Sequence, residues 1–164
     1  MVRTRIQKIA LAIVLTAVAI ALSPIYFPIG PTKVFPWQHM VNGIAGVLLG
    51  PWYAAAMAVA AGVIRNMLGV GTLFAFPGGI PGALVVGLTY QHLLKRDYAA
   101  LTEPIGTGLI GAAISALILG PMIGVTMALD AFIIAFSASS IPGSILGFVV
   151  LKVMRRTDLA KYFV

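Results

Sequence analysis

The chain has 164 residues, of which 60% are hydrophobic and 9% charged, with a formal charge of +7 and a mean hydropathy of +1.05. Soluble domains carry about 25% charged residues, so these figures exclude an ordinary water-soluble fold and point to a polytopic membrane protein whose apolar surface meets lipid. The absence of cysteine excludes disulfides and thiolate chemistry, and this length beside roughly six helices of about 20 residues leaves no room for an ATPase or other soluble catalytic module.

In chain order, the first apolar run, Ile9 to Leu22, follows Arg3, Arg5 and Lys8. Basic residues before an apolar stretch also mark signal peptides, but the later spans need no separate targeting signal, so a first transmembrane helix over about 7–26 is the expectation. A second, short span is expected over 37–49, and Gly50-Pro51 then turns the chain into a third over 52–68, with proline in the first helical turn. The glycine-rich stretch 69–79 reads as a helix break, followed by a fourth span over 80–94. Thr102, Glu103 and Pro104 read as an N-cap, a first-turn acid and a helix-starting proline, which opens a fifth span over 103–119. Gly120-Pro121 turns the chain again, and a sixth span covers 125–150 with a bend expected at Pro142-Gly143.

The basic residues test this count. Arg3, Arg5 and Lys8 precede span one, Lys95 and Arg96 follow span four, and Lys152, Arg155, Arg156 and Lys161 follow span six. With six spans all of these fall on one side, which the positive-inside rule makes the cytoplasm. The fold class is therefore an all-α membrane bundle of six helices in a single domain, with both termini cytoplasmic. Only Lys33 and Arg65 fall elsewhere. A weak echo, LGP at 49–51 with Met57-Ala58 against LGP at 119–121 with Met127-Ala128, fits an inverted pair of three-helix halves.

Ionisable groups inside a span cost roughly 2.5–3.5 kcal/mol on insertion scales and normally face protein or a watery cavity. Arg65 and Asp130 are the clear cases, and Asn66 adjoins Arg65. In span two, Gln38, His39 and Asn42 stand at three- and four-residue spacings, on one helix face. These groups fall at a similar depth toward the outer side, beneath loops carrying Phe35, Trp37, Phe74 and Phe76. Aromatic walls with a few placed polar groups are the composition of a small-molecule pocket. The structural alternatives are an Arg65 that snorkels to the interface, an Arg65–Asp130 lock, a His39 that only caps a helix, and interfacial positions for Trp37 and Trp52. Glu103 reads as a cytoplasmic first-turn acid rather than a site residue. The four acids, the lack of a His-Glu-x-x-His or phosphate-loop motif, and the placement of His92 on the opposite side from His39 speak against catalysis and against a metal centre. No cofactor is expected. In span one, Ala17 and Ala21 form a small-xxx-small pair that permits close helix contact, a docking face for another membrane subunit.

The run GPTKVFPWQHMVN at 30–42, followed by LGP at 49–51, IRN at 64–66, GT at 71–72 and AFPG at 75–78, resembles the ThiW family, with EPIGT at 103–107 also similar. That resemblance implies the substrate-binding (S) component of an energy-coupling factor (ECF) transporter. It implies a six-helix bundle that captures hydroxyethylthiazole, a thiamine precursor, from outside. It further implies docking through span one on a transmembrane coupling subunit driven by two ATPase subunits, with toppling of the S component in the bilayer. A thiazole ring stacks on Trp37 or a phenylalanine, and Gln38, His39, Asn42 or Asn66 hydrogen-bond its polar atoms. Arg65 is then either neutralised by Asp130 or faces an anionic ligand such as a phosphorylated thiazole; the first is the expectation. Another small heterocycle, or a non-transporting membrane assembly subunit, remain the alternatives.

Overall fold

The computed structural model describes residues 4–29 and 32–157. Arg3, Lys161 and the Gly30-Pro31 tip of the first loop, to which parts of the sequence reading apply, lie outside the described residues. Six helices are present in this range: α1 (Arg5–Ala21), α2 (Pro36–Leu49), α3 (Pro51–Met67), α4 (Ala75–Leu88), α5 (Asp97–Met122) and α6 (Leu129–Arg156). A short antiparallel hairpin, β1 (Phe27–Ile29) and β2 (Thr32–Val34), pairs Phe27 with Val34 and joins α1 to α2.

α2 is the central helix, packed against α1, α3, α4, α6 and the start of α5. Its apolar and small residues, including Val41, Gly43, Ile44, Ala45, Gly46 and Val47, are all buried. Its polar residues Gln38, His39 and Asn42 are buried as well, so every face of the helix meets protein rather than solvent. α1 lies outermost. A capping box between Thr4 and Gln7 starts it, Ala19 is its one buried residue among those described, and its outer face exposes Ile6, Ile13 and Val14.

Close helix approach depends on glycine at specific contacts. Gly50 takes a φ of 88° at the α2–α3 turn, a left-handed value that glycine adopts without a Cβ penalty. Pro51 follows in the first helical turn, and its backbone lies against Gly87 of α4 so closely that a Cβ there would overlap it.

Several boundaries differ from the sequence expectation: α1 ends at Ala21, α6 runs from Leu129 to Arg156, and α4 and α5 both start earlier. α4 starts at Ala75, not 80, because Pro77 falls within its first turn, where the missing N–H costs nothing. The glycines at 78, 79 and 82 are therefore helix-packing residues rather than turn residues. α5 starts at Asp97, not 103: a 3₁₀ segment, Asp97–Thr102, continues through Glu103 and Pro104 into the π-helical Ile105–Gly111, so Thr102 and Glu103 lie inside the helix. Gly120 and Pro121 form the last turn of α5, and the chain reverses at Gly124, with a φ of 72°. The two LGP sequences thus occupy different structural positions, and the inverted-repeat echo has no counterpart in the turns. Pro142 is accommodated within α6, which runs on as one helix to Arg156.

At the end that carries Lys95, Arg96 and Arg156, the single N–H of Arg155 Nε is shared between both oxygens of the buried Asp97 carboxylate, at 2.6 and 2.7 Å. Lys152 lies 3.9 Å from the same carboxylate and over the rings of Tyr98 and Phe148. This shared contact ties the start of α5 to the end of α6.

Candidate functional site: a polar cavity at one end of the bundle

At the opposite end, the C-terminal ends of α1 and α3 meet the N-terminal ends of α2, α4 and α6 around a cavity of about 550 Å³. That volume lies in the range of small-molecule sites. Its polar groups include Ser23 after α1 and Thr72 before α4. The first turn of α2 presents Gln38 and His39, the last turn of α3 presents Arg65, and α6 presents Ser139. The apolar wall is aromatic: Phe74 and Phe132 stand 5.0 Å apart between centroids, Phe132 and Phe136 5.8 Å, and Tyr26 and Phe35 5.7 Å. Phe132, Phe136 and Ser139 follow one another at four- and three-residue spacings, which places them on one face of α6.

Arg65 is 3% exposed. Its Nη1 donates to Gln38 Oε1, its guanidinium lies 4.7 Å from the Phe35 ring centroid, and its Nε is buried without a partner among the described residues. The Arg65–Asp130 lock expected from the sequence is not formed. Asp130 is exposed in the first turn of α6, where its carboxylate accepts the Ala131 N–H at 2.8 Å. An acid in a first turn favours the helix dipole, and this local role replaces the long-range one.

Behind the cavity wall lies a network that the sequence reading misplaced. Glu103, read as a cytoplasmic acid, is 0% exposed. Its Oε1 lies 2.7 Å from His39 Nδ1 and accepts from Asn42 Nδ2 at 3.2 Å. Thr107 Oγ1 stands 2.8 Å from the same oxygen and 2.6 Å from the Gly78 carbonyl, so its single hydrogen lies between two acceptors. Asn42 donates its second N–H to the Gly79 carbonyl at 3.1 Å. Only glycine at 82 leaves room for this arrangement, since a Cβ there would overlap both Glu103 Oε1 and Thr107 Oγ1. The donors converging on Oε1 orient His39 from behind, while the same ring lines the cavity.

The remaining expected residues take supporting positions. Asn66 donates to the Gly62 and Thr72 carbonyls at 2.8 and 3.1 Å and so shapes the α3–α4 turn. Trp37 donates its indole N–H to the Ile25 carbonyl at 2.8 Å and sits beside Phe27, fastening the end of α1 and the hairpin to α2. Phe76 packs on Gly62. Ala17 and Ala21 are exposed on α1, and Ala17 borders a shallow apolar groove between α1 and α3. Phe132, Phe136, Ser139, Glu103 and Thr107 were not anticipated as site residues. Their signals were the three- and four-residue spacings on α6 and the four-residue spacing of Glu103 and Thr107 within EPIGT.

No curated protein matches the chain. A family model described as thiamine-precursor transporter protein (ThiW) matches residues 9–157. A transporter family carries a membrane context and a small-molecule substrate, and points away from catalysis. α5 and α6 are each long and apolar enough to cross a bilayer. With a match over nearly its whole length, the chain belongs to the ThiW family of thiamine-precursor transporter proteins.

Proposed function

We propose that the protein is the substrate-capturing S component of an ECF-type importer for the thiazole precursor of thiamine. One observation carries this reading: an aromatic-walled cavity with Gln38, His39 and Arg65 at its polar edge opens at the end of the bundle opposite the basic cluster. The positive-inside rule makes the basic end cytoplasmic, so the cavity faces the outside, with both termini inside and six helices in the membrane. A five-membered heteroaromatic ring lies against Phe74, Phe132 or Phe136, where aromatic contacts add about 0.5–1.5 kcal/mol beyond burial. His39 and Gln38 address the polar atoms of the ring and its two-carbon arm. Asn42, Trp37, Asn66 and Phe76 hold the elements that shape the site.

Energy for transport comes from separate subunits: a transmembrane coupling protein that docks on the exposed Ala17/Ala21 face of α1, and two ATPases. A purely structural assembly subunit would answer Arg65 with an internal acid, and the exposure of Asp130 speaks against that alternative. The test is calorimetry on the purified chain with hydroxyethylthiazole, its phosphate ester and thiamine. Binding of either thiazole compound in preference to thiamine is the expected result. Heat from thiamine alone, or from none of the three, would refute the substrate assignment.

A further inference from the structure

Arg65 brings a positive charge into the bundle, and no acid among the described residues pairs with it. Among the described residues its contacts are the neutral Gln38 oxygen and the Phe35 ring, and its buried Nε has no partner there. Asp130, the acid that sequence position offers, is exposed and accepts from its own helix backbone. Glu103, the buried acid of the neighbouring network, is held by His39, Asn42 and Thr107 and makes no ion pair with Arg65 among the described residues. A buried charge without a counter-ion is costly in protein, and more so within a membrane. A second observation has the same sign. The cavity is bordered by Phe35 and Phe74, the N-caps of α2 and α4. Neither helix has an acidic residue in its first turn or a side-chain cap, so the positive ends of both dipoles are left uncompensated there.

We infer that the ligand itself supplies the missing anion: the transported thiazole compound carries an oxyanion, a phosphate ester or a carboxylate, on its side chain, and Arg65 binds it. Arg65 lines the cavity, and a planar guanidinium suits contact with such a group. The cavity also falls in the size range of drug-sized ligands, which leaves space beside a single ring and a two-carbon arm. This inference rests on the reading of the cavity as a thiazole site and specifies the charge of what enters it.

The test compares three ligands on the full-length protein in detergent or nanodiscs: hydroxyethylthiazole, its phosphate ester, and the analogue with a carboxymethyl arm. Inorganic phosphate serves as competitor. Charge-assisted hydrogen bonds predict that at least one oxyanion form binds about tenfold or more tightly than the alcohol. The preferred arm identifies the anion, and a preference for phosphate is accompanied by competition from inorganic phosphate. Arg65→Gln brings the oxyanion affinity down toward that of the alcohol, and Arg65→Lys, with the charge but not the fork, retains part of the preference. Thermal unfolding checks that each variant is folded, and the wild-type ligand comparison stands if one is not. An alcohol that binds as tightly as both anions overturns the inference and leaves the thiazole assignment intact. Failure of all three ligands overturns both.

Discussion

Glu103 Oε1 is the common acceptor for groups on two helices, and its position decides how His39 meets the cavity. Removing that acceptor leaves His39, Asn42 and Thr107 to satisfy buried polar atoms without it. Glu103→Ala is therefore expected to destabilise the protein by about 3 kcal/mol or more, read as a lower thermal-unfolding midpoint. Glu103→Gln keeps the volume and an acceptor oxygen and loses less. If Glu103→Ala unfolds at the wild-type temperature, the network has no structural weight. At this scale the sequence was legible where spacing alone carries the information. Gln38, His39 and Asn42 sit three and four apart on α2, and all three are buried. Glu103 was misread because Thr102-Glu103-Pro104 satisfies every local rule for a helix start. The 3₁₀ segment that precedes it, and moves it into the bundle, leaves no comparable local mark.

At the scale of elements, α4 shows how a composition associated with turns can build a helix. Its glycines let α2, α3 and α5 approach its backbone, and Pro77 is harmless in a first turn. At Gly87 the neighbouring atoms belong to the Pro51 backbone, which cannot rotate away as a flexible side chain can. Gly87→Ala is expected to cost about 1–3 kcal/mol through overpacking, measured by thermal unfolding in detergent. An unchanged midpoint would mean that α3 and α4 do not pack as described. α5 departs most from a simple helix, passing between 3₁₀, π and α geometry over Asp97–Met122. π-helical turns recur at functional positions, and here one spans Thr107.

At the scale of the whole molecule, the two ends have distinct chemistry: a cavity with aromatic walls and Arg65 at one, the Asp97–Arg155 tie and the basic cluster at the other. Because the chain has no cysteine, single introduced cysteines report orientation cleanly. Lys95 and Met122 are both exposed, beyond the end of α4 and at the end of α5. In intact cells, Met122→Cys is expected to react with a membrane-impermeant thiol reagent, and Lys95→Cys only after permeabilisation. The reverse pattern would place the cavity on the cytoplasmic side and overturn capture from outside.

Composition and charge placement by themselves determined that this is an apolar, multi-helix chain with its basic residues gathered between alternate helices. They also determined that polar side chains concentrate on α2 and near Arg65. These follow from rules that act locally: lipid excludes charge, proline and glycine punctuate helices, and three- and four-residue spacings share a face. Tertiary structure alone decided which polar groups answer one another. Arg65 and Asp130 look like partners along the sequence, yet Asp130 binds its own helix N-terminus and Arg65 turns to Gln38 and the cavity. His39 and Glu103, 64 residues apart, become neighbours because α2 and α5 pack side by side across Gly82. Pairing between distant residues depends on helix register and packing distance, and neither is encoded in any one segment.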